Sequence, residues 1–396
     1  MRIVVGSVAD MVSTGSTSVS AGSSGVSTPL VASPPVVMAP RTDGFEVVWA
    51  ITAASRGRLE WREVGDDHPP RRSACDPYGF VPQGTETLRI RLDGLAPGTE
   101  VEFRTVTEAV QDGRCHTSDW KRIRTLDPSA TSSTFVVWND THQHDDTLAA
   151  LDDRSPRGDF WVWNGDVCNN WTDRSEIIPT ILAPAGRDVT DGRPMVFNWG
   201  NHDVRGPWAH RVPEIIASPE GRPYQAFRSG PVAAIVLSTG EDKPDDHPSF
   251  AGRVAFAELH RRQAEWLADQ VQRPGFVDAP YRVVFCHVPL RWHDEALLTA
   301  TDYATGRWDL WSRTGRELWH QTLAGWGAQV VISGHNHEAA RLDPTDDFPY
   351  TQLLGGGPRP EEATWLEGDA DDRRLMVTIR RLDGEVVEQV GFEPIT

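Results

Sequence analysis

The chain of 396 residues has very little lysine and no excess of basic residues. Lys121 and Lys243 are its two lysines, and 57 aspartates and glutamates outnumber 39 lysines and arginines. The formal net charge is therefore −18. This charge disfavours binding to duplex nucleic acid, because phosphate contacts require a basic face. It equally disfavours attraction to an anionic membrane surface.

Long apolar runs and paired cysteine motifs are also missing. No stretch approaches the ~20 apolar residues that span a bilayer, so no membrane span is expected. The four cysteines are Cys75, Cys115, Cys168 and Cys286, and they show no C-x-x-C spacing, which disfavours a cysteine zinc site. Cys75 and Cys115 could pair in an oxidising compartment or remain free thiols, and the sequence leaves both alternatives open.

The N-terminus lacks the apolar core of a recognisable signal peptide. Residues 1–35 are rich in serine, glycine and threonine, which predicts a disordered tail. The compartment is left unknown. Cytoplasmic is the default expectation, with export if the start site is misassigned and a signal lies upstream.

The length of the chain predicts two domains, of which the first is residues 36–128. Turns separate five strand-like segments there, at 44–51, 58–64, 87–92, 101–109 and 119–126. Short strands at this spacing favour an all-β sandwich. With Trp49 in an early strand and LDGLAPGTEVEF before a late one, the segment resembles a fibronectin type III domain.

The second predicted domain, residues 129–396, has a different pattern. Five apolar runs end abruptly in polar residues: TFVVWN before Asp140, FWVWN before Gly165-Asp166, MVFNW before Gly200-Asn201-His202-Asp203, YRVVF before Cys286-His287, and QVVIS before Gly334-His335-Asn336-His337. Strands that are apolar on both faces belong inside a sheet covered by helices. Helices are predicted within 253–272, where Phe256, Leu259, Ala264 and Leu267 recur at helical spacing, and within 314–327. The fold class is therefore α/β, with the five polar clusters at the carboxyl ends of strands, where open α/β sheets bind ligands.

The polar clusters supply a set of oxygen and nitrogen donors. Its seven members are Asp140, His142, Asp166, Asn201, His287, His335 and His337. Such a mixture suits Mn, Fe or Zn. Seven ligands are too many for one ion but suit two ions that share a carboxylate, and such a pair can clamp the oxygens of a phosphoryl displacement. His202 beside Asn201, followed by the carboxylate of Asp203, could act as a general acid.

The motifs D-x-H, G-D, G-N-H-D, a strand-end histidine and G-H-N-H occur in that order. In this order they resemble the calcineurin-like metallophosphoesterase family over about residues 134–340. The resemblance implies a β-sandwich flanked by helices (α/β/β/α) and two transition-metal ions, divalent or trivalent. It also implies a metal-bridging hydroxide as the nucleophile. By this resemblance Asp140, His142 and His337 would hold one ion, Asn201, His287 and His335 the other, and Asp166 would bridge them, with His202 as the acid oriented by Asp203.

The order of domains is also similar to that of the purple acid phosphatases, but two positions differ. Those enzymes have a tyrosine three residues after the bridging aspartate, where this chain has Asn169, and a glycine in the first motif, where it has His142. A ferric phenolate, and with it a purple colour, is therefore not expected.

The function predicted is hydrolysis of a small-molecule phosphomonoester or phosphodiester by a binuclear metal centre. The alternative is an inert binding or adhesion protein that uses the same fold as a scaffold. Substrate contacts are predicted at Arg205, His210 and His293, which follow ligand clusters. Trp171 and Trp292 could form a pocket wall, although core packing is favoured. The oligomeric state is not predicted.

Overall fold

The computed structural model describes residues 28–73, 75–76, 78–240, 242–291 and 313–396. His293 and Trp292, named above as candidate substrate or pocket residues, lie outside the described residues, as do residues 1–27 of the predicted tail. Within the described part of the chain, no helix has the length and apolar character needed to cross a membrane. Cys75 and Cys115 are exposed free thiols.

Residues 36–128 form a two-layered β-sandwich. Its strands are β1 (Val36–Met38), β2 (Phe45–Ala50), β3 (Ser55–Glu63), β4 (Arg71–Arg72), β5 (Gln83–Gly84), β6 (Thr87–Leu92), β7 (Glu100–Ala109), β8 (Cys115–Thr117) and β9 (Lys121–Arg124). The five predicted strand segments correspond to β2, β3, β6, β7 and β9. Strand β6 alternates buried and exposed residues, as one apolar face against a core requires. Phe45, Trp49, Leu59 and Phe103 lie in that core.

The first layer of this sandwich continues into the sheet of the second predicted domain. Strands β1, β2 and β6 pair in that order, and β1 also pairs in parallel with the strand Met195–Asn198, with Met38 opposite Met195. The predicted boundary at residue 129 therefore does not coincide with a break in the sheet. Residues 28–35 correct the tail prediction, because Val31 forms a β-bridge with Ile51 and the Ala32 amide donates to the Ala50 carbonyl.

The rest of the chain alternates strands and helices around two sheets. Its elements are β10 (Ser133–Trp138), α1 (Asp145–Arg154), β11 (Phe160–Asn164), α2 (Ile177–Leu182), β12 (Met195–Asn198), β13 (Gln225–Ser229), β14 (Val232–Leu237), α3 (Phe256–Gln270), α4 (Pro274–Val277), β15 (Tyr281–Cys286), α5 (Arg313–Trp326), β16 (Val330–Ser333), β17 (Ala340–Leu342), β18 (Thr351–Leu354), β19 (Thr364–Ala370), β20 (Leu375–Arg381) and β21 (Val386–Phe392). Short 3₁₀ turns lie at Arg174–Glu176, Pro184–Gly186, Ala209–Glu214 and Pro219–Gly221. One sheet has the order β21-β20-β19-β10-β11-β12-β1-β2-β6, and the other has the order β13-β14-β15-β16-β18-β17.

The two sheets face each other across an apolar core. Phe135, Val162 and Val196 of the first sheet share this core with Phe285 and Ile332 of the second. Helices α1 and α2 pack on the outer face of the first sheet, and α3 and α5 pack on the outer face of the second. This confirms the predicted fold class, a β-sandwich flanked by helices (α/β/β/α). Strands β10, β11 and β12 run parallel, as do β14, β15, β16 and β18, so each group brings its carboxyl ends to one edge.

Helices α3 and α5 lie where the sequence predicts them, but the buried face of α3 differs from the prediction. Leu267 is buried as expected, and the other buried positions are polar: His260, Gln263 and Gln270. The Gln263 side chain bonds to both the amide and the carbonyl of Ser238, at 2.9 Å each. Phe256 and Leu259 are only partly buried. The apolar period therefore predicts the position of this helix correctly. Which of its side chains face the sheet depends on hydrogen bonds to the backbone of the sheet, such as those of Gln263.

Candidate metal centre

The candidate ligands occupy turns that follow the carboxyl ends of parallel strands. Five of the seven have a positive φ, a region that residues other than glycine seldom adopt: Asp140, His142, Asp166, His335 and His337. Strain of this kind costs on the order of 1–3 kcal/mol per residue and persists where surrounding contacts fix it. Gly165, whose φ is +93°, shows how closely these turns approach one another. A Cβ at this position would lie 2.5 Å from the His287 ring.

One ligand group consists of Asp140, His142 and His337. The Nε2 atoms of the two histidines lie 3.1 Å apart, and Asp140 Oδ1 lies 3.5 Å from Nε2 of His337. Two nitrogens that share one ion at about 2.0–2.1 Å lie roughly 2.9–3.4 Å apart, for angles between octahedral and tetrahedral. The separation of the two imidazoles therefore fits a shared ion. The side chain of His337 is 36% exposed, whereas Asp140 is fully buried, so this group opens to solvent at His337.

The second ligand group consists of Asp166, His287 and His335. Asn201 joins it, because its Oδ1 lies 2.8 Å from Nδ1 of His335. The Nδ1 atom of His287 lies 2.8 Å from the Asn164 carbonyl oxygen and donates to it. This bond fixes the tautomer and directs Nε2 towards the carboxylates, as an outer partner of a metal-binding histidine does.

Asp166 lies between the two groups. Its Oδ2 is 3.7 Å from Nε2 of His142 and 3.2 Å from Nε2 of His287. Its Oδ1 accepts a hydrogen bond from the His202 amide at 2.8 Å. One carboxylate oxygen is thus held by the backbone, and the other faces a histidine of each group.

The electrostatics of the cluster fit bound cations. Burial, reinforced by the charge of Asp166, raises the pKa of Asp140 to about 8 and that of Asp203 to about 7. Burial lowers the pKa of His142 to about 4, which leaves the neutral imidazole that a metal requires. Burial opposes a charge on His287, but Asp166 and Asp140 raise its pKa to about 10. The buried carboxylates thus draw positive charge into the site, and a cation would meet the same demand.

The donor set itself also fits metal ions. The buried Nε2 of His287 has no hydrogen-bond partner, although carboxylate oxygens of Asp166 and Asp140 lie 3.2 and 3.7 Å away. A buried polar atom without a partner is costly, and bound ions are one explanation for it. The residues present therefore fit the group that the sequence motifs imply.

Asp203 does not orient His202, which corrects that part of the sequence prediction. The oxygens of Asp203 accept backbone amides instead, from Gly200 at 2.8 Å, Asp166 at 2.9 Å and Val167 at 3.0 Å. Its carboxylate therefore joins the turns that carry Asp166 and Asn201. The partner of His202 Nδ1 is the backbone carbonyl oxygen of Asn169. Sequence reasoning could not find this partner, because a backbone carbonyl leaves no residue-type signal.

Arg205 lies at the other nitrogen of His202. Its guanidinium is 3.2 Å from His202 Nε2 and bonds Asp242 at 2.6 Å. The predicted substrate residue Arg205 is therefore next to the candidate acid. His210 lies farther along, in the 3₁₀ turn Ala209–Glu214, where its ring stacks on Trp208. Trp171 is fully buried and its indole donates to the Asp203 carbonyl, so it packs rather than lining a pocket.

Three buried asparagines beneath the ligands were missed by sequence reasoning. Asn139, Asn164 and Asn198 lie at the ends of β10, β11 and β12, and their amides form a chain: Asn198 donates to Asn164, and Asn164 to Asn139, each at 2.8 Å. Asn164 also approaches the carbonyls of Cys286 and Ile332 in the second sheet. A signal was present, since asparagine ends the first two apolar runs and is the penultimate residue of the third.

An α/β/β/α fold with candidate metal ligands at one edge is the layout of a metallophosphoesterase. Residues 133–339 match the family model described as Calcineurin-like phosphoesterase, and the chain belongs to that family. No curated protein matches the chain. Among solved structures, the purple acid phosphatase PPD1 from yellow lupin (Lupinus luteus) seeds is similar at a TM-score of 0.68 and 12% identity. That match covers 91% of this chain and 74% of the lupin chain.

The coverage of the lupin match is larger than residues 129–396 alone could give, so the shared fold includes much of the N-terminal sandwich. A further structure is that of a protein from Streptococcus pneumoniae TIGR4 described as a predicted phosphoesterase, with 14% identity, a TM-score of 0.31 and coverage of 67% of this chain and 99% of that one. Another is a metallophosphoesterase from Sphaerobacter thermophilus, with 11% identity, a TM-score of 0.25 and coverage of 67% of this chain and 88% of that one.

Proposed function

We propose that the chain is a metal-dependent hydrolase of a small-molecule phosphate ester, a phosphomonoester or a phosphodiester, with two transition-metal ions (Mn, Fe or Zn). The observation that carries the proposal is Asp166, whose Oδ2 faces His142 of one ligand group and His287 of the other. A carboxylate in that position suits a bridge between two ions. The other ligands would be Asp140, His142 and His337 for one ion, and Asn201, His287 and His335 for the other.

The residues of the chain would divide the work in the following way. Bound ions would supply Lewis acidity for the phosphate oxygens and for the attacking water. His202 would hold a proton on the leaving-group side, with its ring fixed by the Asn169 carbonyl. Arg205, at 3.2 Å from His202, would contact phosphate oxygens, for which a guanidinium is suited. Asp203 would act by holding the ligand turns in place.

The N-terminal sandwich, residues 36–128, is proposed to be a non-catalytic, fibronectin type III-like domain. Supporting this, the candidate ligands all follow residue 129, and the sandwich meets the second part of the chain through structural contacts. The guanidinium of Arg89 donates to the carbonyls of Glu214 and Ile216, and Lys121 pairs with Asp188 at 2.6 Å.

The test is a hydrolysis screen of the full chain over phosphomonoesters and phosphodiesters, with Mn, Fe, Zn or Mg added back after chelation. The proposal expects turnover of at least one ester class, lost with the chelator and restored by a transition metal. Turnover that a chelator leaves unchanged would contradict the metal mechanism. No turnover of any ester in protein that binds the metals would favour an inert scaffold.

A further inference from the structure

A cavity lies beside the G-N-H-D turn, apart from the candidate ligands. Its volume is about 390 Å³, within the range of roughly 300–1,000 Å³ typical of small-molecule sites. Much of its wall is apolar and includes Trp199, Phe250, Phe256 and Leu259. Neither the candidate ligands nor the roles proposed above account for it.

Two lining residues link the wall of the cavity to the metal centre. Trp199 lines it and directly precedes Gly200-Asn201, so the turn that carries a candidate ligand begins at the cavity wall. Arg205 lines it as well, while its guanidinium reaches Nε2 of His202 at 3.2 Å. Arg205 therefore lies between the candidate acid and the cavity.

Three arginines line the cavity, and two of them pair with carboxylates outside the lining: Arg205 with Asp242 at 2.6 Å and Arg262 with Glu258 at 3.7 Å. None of the described lining residues is itself a carboxylate. The Arg253 guanidinium donates to the carbonyls of Phe250 and Ser249, which leave its charge in place. In a chain of net charge −18, such a lining favours an anionic ligand.

Helix α3 supplies part of the apolar wall at a cost to the fold. Phe256 and Leu259 sit on its apolar stripe, yet they are only partly buried because they border the cavity. Apolar surface left in water forgoes about 25 cal/mol per Å². A concave apolar patch beside polar chemistry is the usual form of a ligand groove.

We propose that this cavity receives the organic group of the phosphate ester, and that this group is aromatic or branched aliphatic, with a further negative charge favoured by Arg253. The inference rests on the proposed function, because it places the phosphate at the metal centre and the organic group past Arg205. It names the substrate class as esters of bulky apolar groups rather than of small polar ones.

The test is calorimetric binding of phosphonates, which are not hydrolysed, to the manganese-loaded full chain. Methylphosphonate, phenylphosphonate and 4-carboxyphenylphosphonate form the series. We expect phenylphosphonate to bind roughly 10-fold or more tightly than methylphosphonate, since it buries a ring. The carboxylated compound should bind more tightly again.

Three variants locate the effect, one of them a control. Leu259→Trp, which fills the cavity, should abolish the preference for the aryl compound and leave methylphosphonate binding unchanged. Glu265→Trp, at an exposed position of the same helix, is the matched control and should keep the preference. Arg253→Gln, also at an exposed position, should remove the gain from the carboxylate and keep that from the ring.

Three results would overturn this inference while the proposed function stands: equal binding of methyl and phenyl compounds, an aryl preference that survives Leu259→Trp, or a carboxylate gain that survives Arg253→Gln. No binding of any phosphonate, together with no hydrolysis of any ester, would overturn the proposed function and the inference with it.

Discussion

The outer face of the N-terminal sandwich and the ligand edge of the two large sheets are both rich in charge, but they handle it in different ways. On the sandwich, opposite charges on β3 and β7 pair across the strands, as Arg62 does with Glu102 and Arg104 with Glu60. At the ligand edge, Asp140 and Asp166 are buried beside histidines in turns of positive φ. Among the described residues of 36–128, Ala39 is the one non-glycine residue with positive φ.

The paired charges of the sandwich lie on its surface, whereas the buried charges at the ligand edge belong to the candidate metal centre. Such partly exposed pairs contribute about 0–1 kcal/mol each, so the sandwich can lose one with little effect. Buried carboxylates cost far more and persist only where something compensates them. Backbone strain and buried charge occur together at one edge of the molecule, which is where a functional site is expected.

The largest expected effect distinguishes these two kinds of charge. Asp166→Asn should lower hydrolysis by more than the roughly 100-fold that outer partners of metal ligands contribute, because it removes the charge facing both ligand groups. Metal content should fall as well. The matched variant Glu102→Gln, on the sandwich, should leave hydrolysis unchanged and alter the free energy of unfolding by about 1 kcal/mol or less. Steady-state kinetics and elemental analysis check the pair, and similar kinetics for the two variants would erase the distinction.

The next effect concerns His202, which belongs to the ligand edge without being a proposed ligand. His202→Ala should lower turnover by roughly 10²–10⁴-fold for alkyl esters, whose leaving groups need a proton. The loss should be smaller for an activated aryl phosphate, and metal content should not change. Equal losses for both ester classes would leave His202 an electrostatic role only, whereas a lost ion would make it a ligand.

The pH dependence of stability offers a further contrast. Burial lowers the pKa of His260 to about 4, although the bond from its Nε2 to the Thr239 carbonyl acts in the opposite direction. Its buried Nδ1 has no hydrogen-bond partner. A lowered histidine pKa means that the unfolded chain takes up protons first, so stability is full above about pH 6.5 and is lost as the pH falls towards 4.

The shift in His260 corresponds to a loss of up to roughly 3 kcal/mol. Urea unfolding at several pH values should show a flatter curve for His260→Gln than for the unsubstituted chain. His116→Gln, at an exposed position of the sandwich, controls for the substitution itself. Parallel curves for the unsubstituted chain and His260→Gln would show that this histidine does not set the acid sensitivity.

The smallest effect concerns the asparagines beneath the ligands. Asn164→Ala removes the amide that bonds Asn139 and accepts from Asn198, and its neighbours lose their partners. We expect metal affinity to fall by roughly 10–100-fold, the range for outer partners of metal ligands, with the fold intact. Metal titration and circular dichroism measure the two quantities. An unchanged affinity with an intact fold would assign the asparagines to stability alone.

Much of this layout was predictable because apolar period and strand-end polarity are local signals. The runs before Asp140, Asp166 and His287 became buried parallel strands, as their composition predicts. The pairing of Met38 with Met195 was not predictable, because strand partners distant in sequence leave no local pattern. The Asn169 carbonyl was missed for a related reason, since backbone groups are the same at every position.

The central claim is that the buried charge at the ligand edge exists to hold two metal ions. Elemental analysis of the manganese-reconstituted full chain, on a sample whose ester hydrolysis is measured in parallel, tests this most directly. We expect two ions per chain in hydrolytically active protein, and loss of both activity and ions on exhaustive chelation. One ion or none in a fully active sample would contradict it.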